Sequence, residues 1–245
     1  MDLLVLTLAA SATALATGLG AVPVFFMGTR AEALRPILLG VSIGAMTVAS
    51  LLGLLKPAFE EGSAASVVLG LGAGVLLLVG ARALLGRRDV HVGELRGSSV
   101  TLSVLVFGVL LVHSLPEGLA IGTAYASDRA GLSLFVILAI ALQNIPEGTA
   151  IALPMEAAGF SRRRQFTAAV LTSAPQPVGA VAAFLVVEHV QGLLPASFAF
   201  AAGAMLALVA FELLPQISRR HALGGAAGSL AGAGVMLALA AAVGV

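Results

Sequence analysis

The sequence predicts an all-α integral membrane protein of eight transmembrane helices, in a 3+2+3 inverted-repeat arrangement with both termini extracytoplasmic. Three observations carry this expectation. Only 13 Lys+Arg and 12 Asp+Glu occur in 245 residues, which is 10% of the chain, where an ordinary soluble domain carries about 25%. The apolar fraction is 59%, too high for the remaining residues to coat a soluble core. Apolar runs of bilayer length also recur along the whole chain, separated by short polar joints. Disordered chains show the opposite balance, and the alternating ten-residue segments of a membrane β-barrel are absent.

The spans fall at about 3–27, 36–57, 64–86, 99–125, 131–157, 165–188, 195–217 and 222–244, within a single transmembrane domain over 1–245. The first has no basic residue ahead of it, and its apolar run is longer than a signal-peptide core. It therefore reads as a retained helix with its N-terminus outside. Joints after spans 1, 3, 5 and 7 hold Arg30, Arg35, Arg82, Arg87, Arg88, Arg96, Arg162, Arg163, Arg164, Arg219 and Arg220; the other joints hold Lys56 and Arg129. All basic residues are thereby assigned, and the Arg-rich joints are the cytoplasmic ones. The polar stretch 87–98 reads as a solvated cytoplasmic linker. Glycines such as Gly70, Gly72, Gly74, Gly224, Gly225 and Gly228 read as close helix packing. With no cysteine there is no disulfide framework and no thiolate for a soft metal. A net charge of +1 carries no sign of a nucleic-acid partner.

Three glutamates lie inside spans: Glu117, Glu147 and Glu212. Each costs about 3 kcal/mol to place mid-membrane, and no Lys or Arg lies mid-span to neutralise them. Glu212 is the least demanding, because it sits near a cytoplasmic end where water reaches. Glu117 and Glu147 occupy a repeated setting. Span 4 reads His113-Ser114-Leu115-Pro116-Glu117-Gly118, and span 5 reads Gln143-Asn144-Ile145-Pro146-Glu147-Gly148. Consecutive spans run antiparallel, so a pseudo-two-fold axis in the membrane plane brings the two copies face to face. Proline-interrupted helices in an inverted repeat point to a midplane transport site. Gly44-Ala45-Met46 in span 2 and Gly203-Ala204-Met205 in span 7 form a weaker outer echo.

At 100° per residue, His113, Glu117 and Ser114 share one arc of span 4, and Gln143, Glu147 and Asn144 share one arc of span 5. Two adjacent sites become available. His113, Glu117, Gln143 and Glu147 form one; Ser114, Asn144 and the same two glutamates form the other. Pro116 and Pro146 remove an N–H each, freeing the carbonyls of Val112 and Leu142. Gln176, within Pro175-Gln176-Pro177 of span 6, either reaches the second site or hydrogen-bonds a freed carbonyl. Two carboxylates supply a charge of −2, which a divalent cation neutralises where residual charge is costly. Imidazole, carboxylate and amide oxygens suit Zn²⁺, with Fe²⁺, Mn²⁺ and Cd²⁺ also acceptable, while Mg²⁺ gains little from imidazole. Neutral His is the ligating form, so affinity falls as pH drops below about 6.5.

At these residues the chain resembles the ZIP (Zrt/Irt-like) family of divalent metal transporters, in its prokaryotic form. The His-x-x-Pro-Glu-Gly and Asn-x-Pro-Glu-Gly pair carries the resemblance. It extends through Leu153-Pro154 to Gly159-Phe160-Ser161-Arg162-Arg163, and through Gly203-Ala204-Met205 to Glu212-Leu213-Leu214-Pro215. It implies a principal metal site at His113, Glu117, Gln143 and Glu147, a second at Ser114, Asn144 and Gln176, and a possible exit site at Glu212. It also implies metal movement into the cytoplasm across a prokaryotic inner membrane, by spans 1, 4, 5 and 6 sliding against the others, often as a homodimer. Metal is then substrate, with no prosthetic group, and the lipid bilayer is the other partner. The chain departs from the family at three positions. Ser114 stands where Asn is common, Gln176 where Glu is common, and Asn144 where some prokaryotic members carry Asp, so the second site is expected to be weak or empty. The competing expectation is a proton-coupled carrier of a small organic substrate using Glu117 and Glu147 as relays. It lacks a mid-span recognition set, with no Trp and Tyr125 as the single Tyr. An intramembrane metalloprotease would need a His-Glu-x-x-His helix, which does not occur; the chain is not expected to be an enzyme.

Overall fold

A computed structural model describes residues 2–85 and 114–245. His113, the 87–98 stretch with three of the cytoplasmic arginines, and the first part of span 4 lie outside the described residues. Among the described residues seven stretches are long and apolar enough to cross a membrane: Leu3–Met27, Arg30–Glu61, Ala64–Ala81, Ala130–Ala157, Arg162–His189, Gln191–Gln216 and Arg219–Val243. The described part of span 4 is helical over 114–126. This is an all-helical, multi-pass membrane protein.

Span 1 comprises α1 (Leu3–Leu19) and α2 (Val22–Met27). Asp2 caps α1, its carboxylate accepting from the Leu4 amide at 2.8 Å. Span 2 comprises α3 (Arg35–Val48), a π-helical segment (Ala49–Leu55) and α4 (Lys56–Glu61). Span 3 is α5 (Ala64–Leu85), and α6 is the 114–126 helix of span 4. Span 5 is α7 (Ala130–Ala157), whose 28 residues rise about 42 Å. Span 6 comprises α8 (Arg162–Thr172) and α9 (Pro175–His189). Span 7 is α10 (Leu194–Leu208) with a π-helical continuation (Val209–Leu213), and span 8 is α11 (Ala222–Val243).

The interruptions differ from expectation. Helix α7 continues through Pro146, Pro116 lies in the first turn of the described part of α6, and breaks lie in the neighbouring spans, at residues 20–21 and 173–174. A proline inside a membrane helix removes one hydrogen bond, and nearby groups compensate for it. Pro175 instead begins α9, where its missing N–H has no partner to lose. In span 1 the carbonyl of Gly20 is taken by the Thr149 hydroxyl at 2.6 Å, so the break leaves no orphan acceptor there.

The helices pack as two sets. In one, α1 packs on α7, α8 and α9, and α7 packs on α8. Helix α6 joins this set through Gly118 and Gly122, whose missing side chains let the backbones of Gln176 and Ala180 approach. In the other set α3 packs along α11 and α5 along α10. Gly44 lies under the Ser229 carbonyl, and Gly203 lies under the Leu71 carbonyl. Close crossings of this kind suit membrane helices, because packing replaces the absent hydrophobic drive. Gly70, Gly74, Gly225 and Gly228 also serve contacts, whereas Gly72 faces open space. The sets meet where α7 crosses α3 and the first π segment, with Phe135 and Val136 against Gly53.

The joints also sort by end. Arg129 pairs with Glu60 at 3.2 Å and Glu61 at 3.3 Å, and Lys56 lies beside Glu60. At this same end the Tyr125 hydroxyl donates to the Asp2 carbonyl, and the Val243 carbonyl abuts Gly131. Both ends of the described chain therefore lie with the two outlying basic residues. At the opposite end Arg162 donates to the Phe25 carbonyl at 2.8 Å, joining two of the Arg-bearing joints.

Candidate metal site

Three helices deliver the polar side chains. Helix α6 carries Ser114 and Glu117, α7 carries Gln143, Asn144 and Glu147, and the first turn of α9 carries Gln176. The glycine of each Pro-Glu-Gly motif sets the approach of a neighbour. Gly118 lets the Gln176 backbone close on α6, and Gly148 lets Thr17 and Gly20 of span 1 close on α7. The motifs are thus packing surfaces as well as carriers of charge.

Glu117 is 2% exposed, and both of its oxygens accept amide protons. Oε1 accepts from Gln143 Nε2 at 2.8 Å, and Oε2 accepts from Gln176 Nε2. Asn144 Nδ2 donates to the Thr13 carbonyl at 2.8 Å and to Gln176 Oε1 at 3.2 Å. Gln176 Nε2 returns a longer bond to Asn144 Oδ1 at 3.4 Å. The Thr13 hydroxyl shares its single proton between Gln176 Oε1 at 2.8 Å and the Ala10 carbonyl at 2.7 Å. Asn144 and Gln176 are fully buried. Buried amides are tolerated when their hydrogen bonds are made, and these are.

One atom stands out. Among the described residues Gln143 Oε1 is buried without a hydrogen-bond partner, an arrangement that costs about 1–3 kcal/mol. It belongs to the same amide that holds Glu117, and it is an oxygen donor available to a cation. Glu147 is half-buried and engaged, and its carboxylate lies within Coulombic range of that of Glu117. Ser114 turns elsewhere, donating to the Thr172 carbonyl at 2.6 Å and tying α6 to the break in span 6. Glu212 is carried by the π segment of the other helix set. Gln176 reaches the members of the second site, turning its N–H to Glu117 and its Oε1 to Thr13 and Asn144.

Three contributors escaped the sequence reading: Thr13 and Thr17 of span 1, and Ser173, whose hydroxyl meets that of Thr17 at 2.6 Å. Their signal was available, since Thr13 and Thr17 stand four residues apart on one face of an apolar helix. Among the described residues no three His, Cys, Asp or Glu side chains converge. Amide groups do much of the work here.

A family model described as "ZIP Zinc transporter" matches residues 86–240. The chain belongs to the ZIP zinc transporter family. The match takes in α6, α7, α9 and the 173–174 break, and so every described site residue except those of span 1. Zinc transporter GufA of Myxococcus xanthus is 34% identical over 219 residues, covering 83% of this chain and 85% of the relative. Zinc transporter ZIPB of Bordetella bronchiseptica is 32% identical over 249 residues, covering 94% and 78%. A putative zinc transporter of Arabidopsis thaliana is 38% identical over 206 residues, and the chain spans 33% of that relative's length. ZIP proteins are transporters, not enzymes, so the intramembrane protease reading falls away.

Proposed function

We propose that this ZIP-family chain carries divalent transition metal ions, Zn²⁺ foremost and Fe²⁺, Mn²⁺ and Cd²⁺ with it, across the inner membrane of a prokaryote into the cytoplasm. The carrying observation is the Glu117 carboxylate held at 2.8 Å by an amide whose own oxygen, Gln143 Oε1, is buried and unpartnered. With Glu147 in range and His113 one residue before α6, the donor set is two carboxylates, one amide oxygen and one imidazole. That mixture suits a borderline divalent ion. Ser114, Asn144 and Gln176 make a second site weak, their polar atoms being engaged with each other and with the backbone.

The eight-span, single-domain topology with both termini outside is supported by the sorting of joints to two ends. The inverted repeat draws support from matched pairs. Exchanging spans 1–3 with 6–8, and span 4 with 5, turns the Gly44–Ser229 crossing into Gly203–Leu71, and the Gly148–Thr17 crossing into Gly118–Gln176. The π segments of spans 2 and 7, each following a Gly-Ala-Met, exchange as well. Two helix sets meeting along α7 supply the parts for an elevator-like motion, in which the set bearing the site slides against the other. Assembly as a homodimer belongs to the same proposal.

Uptake into proteoliposomes tests the reading. Zn²⁺ flux should fall at least about tenfold in His113→Ala and in Glu147→Ala; unchanged flux of Zn²⁺, Fe²⁺ and Mn²⁺ in both variants would sink the site assignment.

A further inference from the structure

We propose that Gln176 is a built-in substitute for a second cation, that Thr13 on span 1 positions it, and that the pair makes this a one-ion carrier. The inference rests on the metal-site reading above and adds what sets the number of ions. Glu117 Oε2 accepts from the donor end of the Gln176 amide. The other end, Oε1, then points away from Glu117 and into two donors, the Thr13 hydroxyl at 2.8 Å and Asn144 Nδ2 at 3.2 Å. Asn144 is committed on both atoms, with Nδ2 also giving to the Thr13 carbonyl at 2.8 Å. Ser114 has given its proton to Thr172.

The place beside Glu117 Oε2 is therefore occupied by the Gln176 N–H group, which also reaches Asn144 Oδ1 at 3.4 Å. A cation there meets the partial positive charge of that N–H and must break the hydrogen bond it makes to Glu117. Thr13 acts through Gln176 and Asn144, using both its hydroxyl and its carbonyl. It is a positioning residue, not a ligand. Its contacts are buried, with Thr13 1% exposed and the two amides fully enclosed, so no solvent competes for them.

The test counts Cd²⁺ bound per protein on the full chain in nanodiscs, by equilibrium dialysis and elemental analysis. Wild type should bind one ion, and Gln176→Glu two. Asn144→Asp adds a carboxylate from span 5, should also bind two, and carries the test if Gln176→Glu does not fold. Thr13→Val keeps the carbonyl and removes the hydroxyl. It should admit a second ion at least about tenfold more weakly than Gln176→Glu does, and should change nothing when added to Gln176→Glu. A merely structural role for Thr13 would shift both backgrounds alike, and that result overturns its part. Two equivalent ions in wild type, or one ion in the folded carboxylate variants, overturns the substitution itself. Binding of no Cd²⁺ by any variant contradicts the underlying metal site instead.

Discussion

The two helix sets use the same packing device for different ends. In both, a glycine lets a neighbouring backbone approach more closely than any side chain allows. Around Gly44 and Gly203 the surroundings are Ala45, Met46, Ala204 and Met205, all buried and apolar. Around Gly118 and Gly148 stand Glu117, Gln143, Asn144, Gln176 and Thr13, mostly buried and hydrogen-bonded to one another. The difference teaches what the motif's glycine does. One residue after each glutamate, it sets how near the next span comes, and therefore which polar group can reach the carboxylate. In the proposed reading the apolar set is a frame, and the polar set is the moving part it holds.

The sharpest way to break this contrast is to remove charge from the polar set. Glu117→Gln and Glu147→Gln should each lower Zn²⁺ uptake at least about tenfold while the protein still folds, since a neutral amide is easier to bury than a carboxylate. Thermal melts alongside flux assays check both halves of that statement. Next come the glycines. Gly148→Val drives a side chain into the Thr17 carbonyl, and should both destabilise by about 1–3 kcal/mol and abolish metal binding. Gly44→Val meets the Ser229 carbonyl and should destabilise by about the same 1–3 kcal/mol, yet leave the number of bound ions unchanged in the protein that remains folded. Equal losses of binding in the two glycine variants would erase the distinction between the sets. A smaller effect is expected at Thr149→Val, which removes the 2.6 Å bond to the Gly20 carbonyl, worth about 0.6 kcal/mol between membrane helices. The smallest is expected at Glu212→Gln, because Glu212 lies on the frame; its uptake should fall by only a fraction of the loss at Glu147.

Much of this was legible in the residues alone. The scarcity of charge pointed to a helical membrane protein, and the positions of Glu117 and Glu147 pointed to the buried polar cluster that we propose as the metal site. A buried carboxylate without a basic neighbour announces itself in any apolar span. The helix breaks were less legible, because proline identity does not say whether a residue sits in a helix interior, as Pro146 does, or at its first turn, as Pro175 does. The role of Gln176 was not legible at all. An amide offers a donor at one end and an acceptor at the other, and one of the partners that meets its acceptor end is Thr13, 163 residues away in the chain. The π segments were equally hidden, since one extra residue per turn leaves no mark on composition.

The central claim is that one metal ion binds between α6 and α7, and anomalous diffraction from Cd²⁺-soaked crystals tests it most directly. The account predicts a single strong peak within bonding distance of Glu117, Gln143 Oε1 and Glu147, with Gln176 still donating to Glu117. A peak away from these residues, or two peaks of equal occupancy flanking Glu117, would contradict it.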